Sequence, residues 1–495
     1  MLLSAVPLLW PDVPPLVDLP GHIGRYRVQL DLASSSALQQ YYSFDWALIG
    51  NLGVDLLVIP LSKLMPLETA VKLIVVAIPP LTVAGFLWVA REVHGRIPPT
   101  ALFAVPLAYN YPFIYGFVNF ALSMALAFLA FALWLRLARL GRLRLRAILF
   151  VPLSCLIWTT HTYGWGALGV MAFSAELVRQ HDRGRNFLQS AIRAAIHCLP
   201  LAPPAAMMLL WRNGHVGGET GDWFNWRAKI AWLVMALRDR WKLFDIGSLI
   251  LVLMLVIVAI RSRRLGFSRN LAASAVFLLL VYLLLPRIVF GSAFADMRLV
   301  PYMIAVAVIA IRFPAESDFR FARAFAIAAL AFVAVRTTAT TYSFWLYDRS
   351  YDRELAAIEH VPQGARLVSF VGMPCGQPWR VSRLEHLPAL ALVRRQAFSN
   401  DQWEMAGAQL ARSIYPAAPG FRSDPSQIVT PGQCPSRVWR SIDDSLRTFP
   451  REAFDYVWLI QPPPHDPRLL AGTERVWSDG ASALYRVVRD RPPAR

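Results

Sequence analysis

The chain lacks several short motifs by which enzyme classes are recognised in a sequence. Cys-x-x-Cys, His-Glu-x-x-His and the Walker A phosphate loop do not occur in its 495 residues. These absences leave no support for a metalloprotease or an ATP-driven pump. The Asp-x-Asp pair found in many soluble sugar-nucleotide transferases is also missing.

Cysteine is scarce, with four residues in the chain. Cys155 and Cys198 lie in predicted membrane spans, where a buried thiol usually behaves as a small apolar residue. Cys375 and Cys434 both lie in the C-terminal part of the chain. If that part faces an oxidising compartment, a disulfide between them is expected.

Apolar residues are abundant, at 56% of the chain with a mean hydropathy of +0.42. Several apolar runs are long enough to cross a bilayer, which predicts a polytopic membrane protein. The net charge of +18 does not indicate nucleic-acid binding, because the cations lie mainly in short loops between apolar runs. Up to Trp345 the chain holds 31 of the 50 Lys and Arg and 16 of the 32 Asp and Glu, so +15 of the charge belongs to this part. We therefore expect contact with membrane lipids and none with nucleic acid.

The hydropathy pattern predicts a mainly α helical bundle with about eleven transmembrane helices. The first segment, Met1–Val17, is short and rich in proline, so it resembles the end of a spanning helix whose start would lie upstream. A cleavable signal peptide is disfavoured because no charged region precedes the apolar stretch. The further spans are predicted at 68–90, 98–116, 117–138, 147–161, 163–179, 190–211, 246–262, 270–289, 299–313 and 320–344.

Basic clusters orient this bundle. They occur at 91–96, 136–146, 179–185, 261–269 and 312–323, and the predicted spans place all of them on one side, which the positive-inside rule makes cytoplasmic. The segments 18–67, 212–245 and 287–298 then share the extracytoplasmic side with everything beyond Trp345. We therefore predict a multi-pass membrane protein with these segments on its extracytoplasmic side.

The composition changes after Trp345, which predicts two parts, a transmembrane domain at 1–345 and an extracytoplasmic α/β domain at 346–495. Strands are expected at Ala365–Val371 and Phe454–Ile460, and a hairpin is expected around Asp479-Gly480. A helix fits Asp401–Ser413. Nothing in this C-terminal part indicates independent catalysis.

One polar segment near the N-terminus is the leading candidate for chemistry. Asp18-Leu-Pro-Gly-His22-Ile-Gly-Arg25 places a carboxylate, an imidazole and a guanidinium within eight residues of an otherwise apolar chain. Ionisable groups beside a bilayer must be solvated, paired or used. Spacing alone does not separate an active site from a short solvated loop with a helix cap.

Four other polar residues on the predicted outer side are candidates for binding a substrate. His161 is suited to contact a phosphate or a sugar, although an interhelical hydrogen bond is the commoner role. Asp222 lies in a loop of glycines, carboxylates and aromatics, typical either of a mobile sugar-binding loop or of an aromatic loop on the bilayer surface. Asp296 and Arg298 suit a phosphate clamp, and an arginine that reaches to lipid headgroups is the alternative.

Three stretches of sequence and the predicted architecture resemble the GT-C superfamily of membrane glycosyltransferases. They are Asp18-Leu-Pro-x-His22-x-x-Arg25, Tyr109-Asn-Tyr-Pro with Gly116-Phe-Val-Asn119-Phe, and His161-Thr-Tyr-Gly164. The three stretches are most similar to those of uncharacterised bacterial members, which implies a place in the bacterial cytoplasmic (inner) membrane. The architectural resemblance covers nearly the whole chain. Several members carry two adjacent acidic residues in the first outer loop, whereas Asp18 is followed by Leu19.

The resemblance implies transfer of a sugar from a polyprenyl-phosphate carrier to a glycan, lipid or protein acceptor on the extracytoplasmic face. By position, Asp18 takes the role of the family's first-loop acid, which interacts with the acceptor or a metal, so a divalent metal ion is a candidate cofactor. Arg25 and Arg298 would bind phosphate, and His22 suits either task. A secondary transporter and a non-enzymatic envelope assembly protein are the alternatives that the sequence leaves open.

Overall fold

The structure is a computed structural model that describes residues 1–215, 218–313, 319–376, 378–405, 408–434 and 438–489, with the backbone alone over 210–215. Most of the predicted loop at 214–226 is described, and His215 and Val216 lie outside the described side chains. The described chain is mainly α-helical, with a sheet in its C-terminal part. The predicted fold class is confirmed at this level.

Seventeen α-helices lie within the described ranges. They are α1 (Leu19–Asp31), α2 (Ser36–Tyr41), α3 (Gly53–Leu61), α4 (Leu67–His94), α5 (Tyr111–Tyr115), α6 (Val118–Arg139), α7 (Leu143–Thr160), α8 (Thr162–His181), α9 (Phe187–Cys198), α10 (Pro203–His215), α11 (Trp226–Val234), α12 (Lys242–Arg261), α13 (Arg269–Leu284), α14 (Val300–Ile309), α15 (Phe319–Leu355), α16 (Ala389–Arg395) and α17 (Ile442–Thr448).

Ten strands also lie within the described ranges. They are β1 (Tyr42–Phe44), β2 (Gly266–Phe267), β3 (Ile311–Arg312), β4 (Leu367–Gly372), β5 (Ala411–Ser413), β6 (Ile428–Thr430), β7 (Arg440–Ser441), β8 (Tyr456–Ile460), β9 (Thr473–Ser478) and β10 (Ala483–Val487).

The predicted count of eleven crossings is not confirmed. Among the described residues, five helices are long and apolar enough to span a membrane, namely α4, α6, α7, α12 and α15, and the pair α9–α10, bent by 66°, would make six. The predicted span at 98–116 is instead a 3-10 helix, Pro99–Tyr109, followed by the five-residue α5. Prolines at 98, 99, 106 and 112 explain the difference, because each lacks the N–H that a continuous α-helix needs. Met1–Val17 likewise contains a 3-10 helix, Leu2–Leu8.

The basic clusters meet at one end of the bundle. Arg139 at the end of α6 pairs with Glu92 at the end of α4, with 2.6 Å between Nη2 and Oε2. Arg269 at the start of α13 pairs with Asp182 after α8, and β2 pairs with β3 beside Arg312. Their common location agrees with one charged face, and which side of the membrane that face occupies stays a prediction.

The C-terminal part is built on a six-stranded mixed sheet in the order β7-β6-β4-β8-β10-β9. Strands β7, β6, β4 and β8 are parallel, and β10 runs antiparallel to β8 and β9. The predicted strands and the hairpin with Asp479-Gly480 at its turn are confirmed. Cys375 and Cys434 form a disulfide, as expected.

One predicted element of the C-terminal part is wrong. The helix expected over Asp401–Ser413 is not formed, because residues 401–405 are irregular and 411–413 form β5. Residues 406 and 407 lie outside the described chain. Strand β5 pairs antiparallel with β1, which lies in the segment 18–67 and is therefore far away in sequence.

The segment 18–67, which includes Asp18–Arg25, is an ordered part of the structure rather than a solvated loop. Tyr41 and Tyr42 pack in one apolar cluster with Val368, Phe370 and Phe398 of the C-terminal part. Helix α15 contributes a second link, because its 37 residues extend about 55 Å and run past the predicted boundary at Trp345 to Leu355. The start of the chain and its C-terminal part are therefore packed together, and the site lies where they meet.

Candidate active site

Asp18 stands at the start of α1, against the turn that joins α5 to α6. Its backbone N–H donates to the carbonyl of Tyr115 at 2.9 Å, and 14% of its side chain is exposed. The carboxylate does not cap α1, since no side-chain capping bond forms there. Gly116 has φ +103°, and a Cβ on it would lie 2.7 Å from the backbone nitrogen of Asp18. Only glycine therefore fits this close approach without displacement.

The C-terminal part brings a histidine to Asp18. His386 Nε2 lies 4.0 Å from Asp18 Oδ1, and its Nδ1 lies 3.0 Å from the backbone carbonyl of Asp401 and 3.8 Å from Asp401 Oδ2. Asp401 is fully buried. The three side chains form a carboxylate–imidazole–carboxylate row across the junction of the two parts of the chain.

The surroundings of Asp18 place its titration near neutrality. Burial raises the pKa of the Asp18 carboxyl to about 7, and Glu385 and Asp424 act in the same direction, while His386 and Arg298 oppose the rise. Burial alone would lower the pKa of His386, but its hydrogen bond to Asp401 and the charges of Asp424, Asp18 and Asp401 raise that pKa to about 10. Asp18 can therefore exchange a proton near pH 7 while His386 stays protonated.

Arg298 is a buried cation without a carboxylate partner in the part of the chain that the structure describes. Its guanidinium lies 4.4 Å from the centre of the Phe117 ring, and its Nη2 donates a long hydrogen bond of 3.4 Å to Ser292 Oγ. Its Nε has no partner. Arg298 is 91% buried, so water compensates the missing counter-ion only in part.

Other buried cations have closer polar partners, and Arg238, which also lacks a carboxylate among the described residues, donates to the Trp379 and Pro378 carbonyls at 2.8 and 2.7 Å. Arg25 contacts Asp55 at 3.0 Å, Arg146 contacts Glu176 at 2.6 Å, and Arg336 contacts Asp245 at 2.8 Å. The contrast singles out Arg298 as a group that is suited to an anionic ligand.

His22 lies one helical turn after Asp18 on α1. Its Nδ1 is buried without a hydrogen-bond partner, and its ring meets that of Trp403 edge-on at 5.0 Å. Burial, with the charges of Arg25 and His386, holds the pKa of His22 well below its usual range. Gly21 leaves the space for Trp403, since a Cβ there would lie 2.3 Å from the indole. His22 is thus a neutral imidazole with a free nitrogen.

His161 stands at the junction of α7 and α8. Its Nδ1 accepts a hydrogen bond from the backbone N–H of Tyr163 at 3.1 Å and so caps α8. Its ring meets the Phe120 ring edge-on at 5.7 Å. The Arg298 guanidinium lies 6.0 Å from the centre of the same Phe120 ring. The capping bond favours a structural role, and the shared contact with Phe120 places His161 near the candidate site.

Three further candidates from the sequence form ion pairs elsewhere. Arg25 points to Asp55, which also accepts a hydrogen bond from Asn119 at 2.9 Å. Asp296 lies 3.5 Å from Lys229. Asp222, with φ +59°, pairs with Arg287 at 2.8 Å. The structure therefore groups Asp18, His22 and Arg298 and gives Arg25, Asp222 and Asp296 other partners.

No pattern in the sequence predicted the contribution of the C-terminal part. Four of its residues act on Asp18 or hold His386, and none of them belongs to a recognised motif: His386, Glu385, Asp401 and Asp424. They lie near Asp18 because the fold brings the two ends of the chain together. Among the described residues, no group of three or more His, Cys, Asp or Glu side chains is arranged to hold a metal ion. We therefore derive no step through a metal.

A Gly-x-Gly-x-x-Gly string occurs at Gly164–Gly169. It lies inside α8, whereas the dinucleotide-binding form of this motif joins a strand to a helix. The string therefore has no structural support as a cofactor site. Gly164 packs against Ser123, where a Cβ would lie 2.5 Å from the Ser123 carbonyl.

Comparisons with known proteins give one structural similarity. No protein-family model matches the chain, and no curated protein matches it. Among solved structures, the crystal structure of ArnT from Cupriavidus metallidurans in the apo state is similar, with 12% sequence identity and a TM-score of 0.47. The alignment covers 98% of this chain and 96% of that one.

Proposed function

We propose that the protein is a membrane glycosyltransferase that moves a sugar from a polyprenyl-phosphate carrier to a hydroxyl of an acceptor on the extracytoplasmic face. The observation that carries the proposal is the largely buried Asp18 carboxylate beside the buried cation Arg298, which has no carboxylate partner among the described residues. Such a pair matches a reaction in which a proton is removed while a phosphate departs.

Asp18 acts as the general base. The acceptor oxygen attacks C1 of the sugar, the new C–O bond forms as the bond from C1 to the phosphate oxygen breaks, and the hydroxyl proton passes to Asp18. A pKa of about 7 suits this task, since the group is then ionised in a large fraction of molecules and still basic enough to take a proton.

Arg298 binds the phosphate. The electron pair of the broken bond leaves with the carrier phosphate, and the guanidinium stabilises that charge through charge-assisted hydrogen bonds. Its Nε and the weakly bonded Nη2 are available donors. Neutral His22, with its unpartnered Nδ1, is placed to orient the acceptor or the sugar through a hydrogen bond.

The chain architecture supports a lipid-linked donor. Five described helices are long and apolar enough to cross a membrane, so the site belongs to a protein that can hold a polyprenyl chain beside its reactive end. The resemblance of Asp18-Leu-Pro-x-His22-x-x-Arg25 to the GT-C superfamily supports the same donor class. We place the site and the C-terminal part on the extracytoplasmic side of the bacterial inner membrane.

Replacement of Asp18 tests the proposal without knowledge of the sugar. Purified protein is incubated with the lipid extract of its own membranes, together with the envelope fraction as acceptor. Mass spectrometry then follows loss of polyprenyl-phosphate sugar and appearance of polyprenyl phosphate. We expect the wild type and the exposed-site control Asp45→Asn to consume the donor, and Asp18→Asn to be slower by about 100-fold or more, the scale of general base catalysis.

Two outcomes would contradict the proposal. Equal consumption by Asp18→Asn and the wild type, with both folded, would remove the catalytic role of Asp18. No consumption by any of the three proteins would favour a transporter or an envelope assembly protein.

A further inference from the structure

We propose that the C-terminal part completes the active site through His386, a positioning residue whose protonated imidazole, held by Asp401, keeps the Asp18 carboxyl ionised and oriented. This inference rests on the proposed function, in which Asp18 must be ionised before it can accept a proton. In this proposal the C-terminal part acts directly on the reaction and does not merely cover the site.

Contacts on the Nδ1 side of the imidazole hold His386 in place. Asp401 accepts a hydrogen bond from Ser399 Oγ at 2.6 Å on one oxygen and from the Ala389 backbone N–H at 3.1 Å on the other. Its backbone carbonyl lies 3.0 Å from His386 Nδ1. The Trp403 ring packs at 4.6 Å from the imidazole. Because each contact limits the ring, Nε2 is directed towards Asp18.

The distance to Asp18 indicates an electrostatic role. At 4.0 Å, His386 Nε2 and Asp18 Oδ1 are too far apart for a hydrogen bond yet close enough for a strong charge interaction in a buried setting. A base that must later accept a proton from a substrate benefits from a partner that stabilises its charge without occupying its lone pairs. The side-chain oxygens of Asp18 therefore remain available to the acceptor.

Several charged groups besides His386 determine how readily the Asp18 carboxyl ionises. His386 and Arg298 favour the ionised form, and Glu385 and Asp424 oppose it. Neutral His22 lies on the same helix. The other titratable groups that face the site are Tyr111 and Tyr115 of α5, with Arg238 acting on Glu385.

Loss of the His386 charge leaves Asp18 with two acidic neighbours and Arg298. The pKa of Asp18 must then rise, and the pH at which Asp18 ionises moves upward, by about 1 to 3 pH units for one close opposite charge. Asp401→Asn weakens the hold on the imidazolium proton and should move the Asp18 titration in the same direction.

The test follows the carboxyl itself. A hydrophobic carbodiimide modifies protonated carboxyls in detergent-solubilised protein, and peptide mass spectrometry gives the modified fraction of Asp18 against pH. We expect a midpoint near pH 7 in the wild type and in the exposed-histidine control His360→Gln, and a midpoint at least about one unit higher in His386→Gln. Asp401→Asn should give a smaller shift in the same direction, because Asp424 and Asp18 still favour the protonated imidazole. Under the proposed function, the acid limb of the pH–rate profile should shift by the same amount, and activity should recover at high pH.

An unchanged Asp18 midpoint in His386→Gln, with the protein folded, would overturn the inference, as would an activity loss that no pH restores. Asp401→Asn leaves the imidazole in place and so remains informative if His386→Gln fails to fold. Carbodiimide labelling does not depend on sugar transfer. A shifted midpoint in a protein without transferase activity would therefore refute the proposed function alone.

Discussion

At the residue level, the candidate site depends on charges that the fold buries without neutralising. Asp18 ionises near pH 7 mainly because burial raises the pKa of its carboxyl, and Arg298 lacks the carboxylate partner that Arg25, Arg146 and Arg336 each have. Burying an unpaired charge costs free energy, and such costs concentrate at functional sites. The sequence identified Asp18, His22 and Arg298 as candidates, but it could not separate Arg298 from Arg25, because pairing depends on neighbours distant in the chain.

The titration of Asp18 predicts a pH dependence. A raised pKa means that the carboxyl is protonated, and unable to accept a proton, below about pH 7. We therefore expect the transfer rate at saturating donor to be level above pH 8 and to fall about tenfold per pH unit well below pH 7. Stopped-time assays between pH 5 and 9 check this, and a rate that stays constant down to pH 5 would exclude Asp18 as the base.

At the level of secondary-structure elements, long apolar helices were predictable and the segments between them were not. Helices α4, α6 and α12 follow the hydropathy of their own sequences. The segment 98–116 is similarly apolar but is broken by prolines. A prediction from apolar composition alone therefore wrongly gave it a transmembrane α-helix. The predicted helix at 401–413 is not formed because β5 pairs with β1 and because Gln402 is buried against α1, where its Nε2 donates to the Gly21 carbonyl at 3.4 Å.

The contact between α1 and the turn at Gly116 predicts the effect of a single methyl group. In Gly116→Ala the new Cβ would meet the backbone of Asp18 at 2.7 Å, and the residue would hold φ +103°, so the start of α1 must shift. We expect the protein to fold and its transfer rate to fall by 10-fold or more, because small displacements of a catalytic group are costly.

Gly141→Ala is the matched control for this substitution. Gly141 also has positive φ, +72°, but a Cβ on it would meet nothing within 4 Å. Rates for both variants, with a thermal unfolding curve for each, separate backbone strain from displacement of Asp18. Equal losses of activity in the two variants would argue against a precise position for Asp18.

At the level of the whole molecule, the first helix of the chain packs against the C-terminal part. The apolar core that contains Phe86 and Tyr302 of the bundle also contains Leu367, Trp458 and Leu484 of the sheet. The sequence predicted a bundle and an α/β part, but not that residues 18–46 pack within the latter, since no local pattern records a contact between the two ends of a chain.

This arrangement predicts that the C-terminal part and the loop after α8 are exposed on opposite sides of the membrane. The two free cysteines are first replaced, by Cys155→Ser and Cys198→Ser, and the disulfide stays in place. A single cysteine is then introduced at an exposed position, either in the β9–β10 turn (Ala481→Cys) or after α8 (Arg183→Cys). A membrane-impermeant maleimide should label Ala481→Cys in intact spheroplasts and Arg183→Cys only after permeabilisation. The reverse pattern would place the candidate site on the cytoplasmic side.

Lipids that remain bound after purification test the central claim most directly. Wild type, Asp18→Asn and Arg298→Gln are purified from native membranes, and their bound lipids are identified by mass spectrometry. Asp18→Asn should retain a polyprenyl-phosphate sugar, because it binds the donor without turnover. Arg298→Gln should retain about 10-fold less or lower still, the scale of a lost hydrogen bond to a charged group. Absence of polyprenyl-phosphate lipids from all three preparations, or equal amounts in Arg298→Gln and Asp18→Asn, would contradict a polyprenyl-phosphate donor site at Asp18 and Arg298.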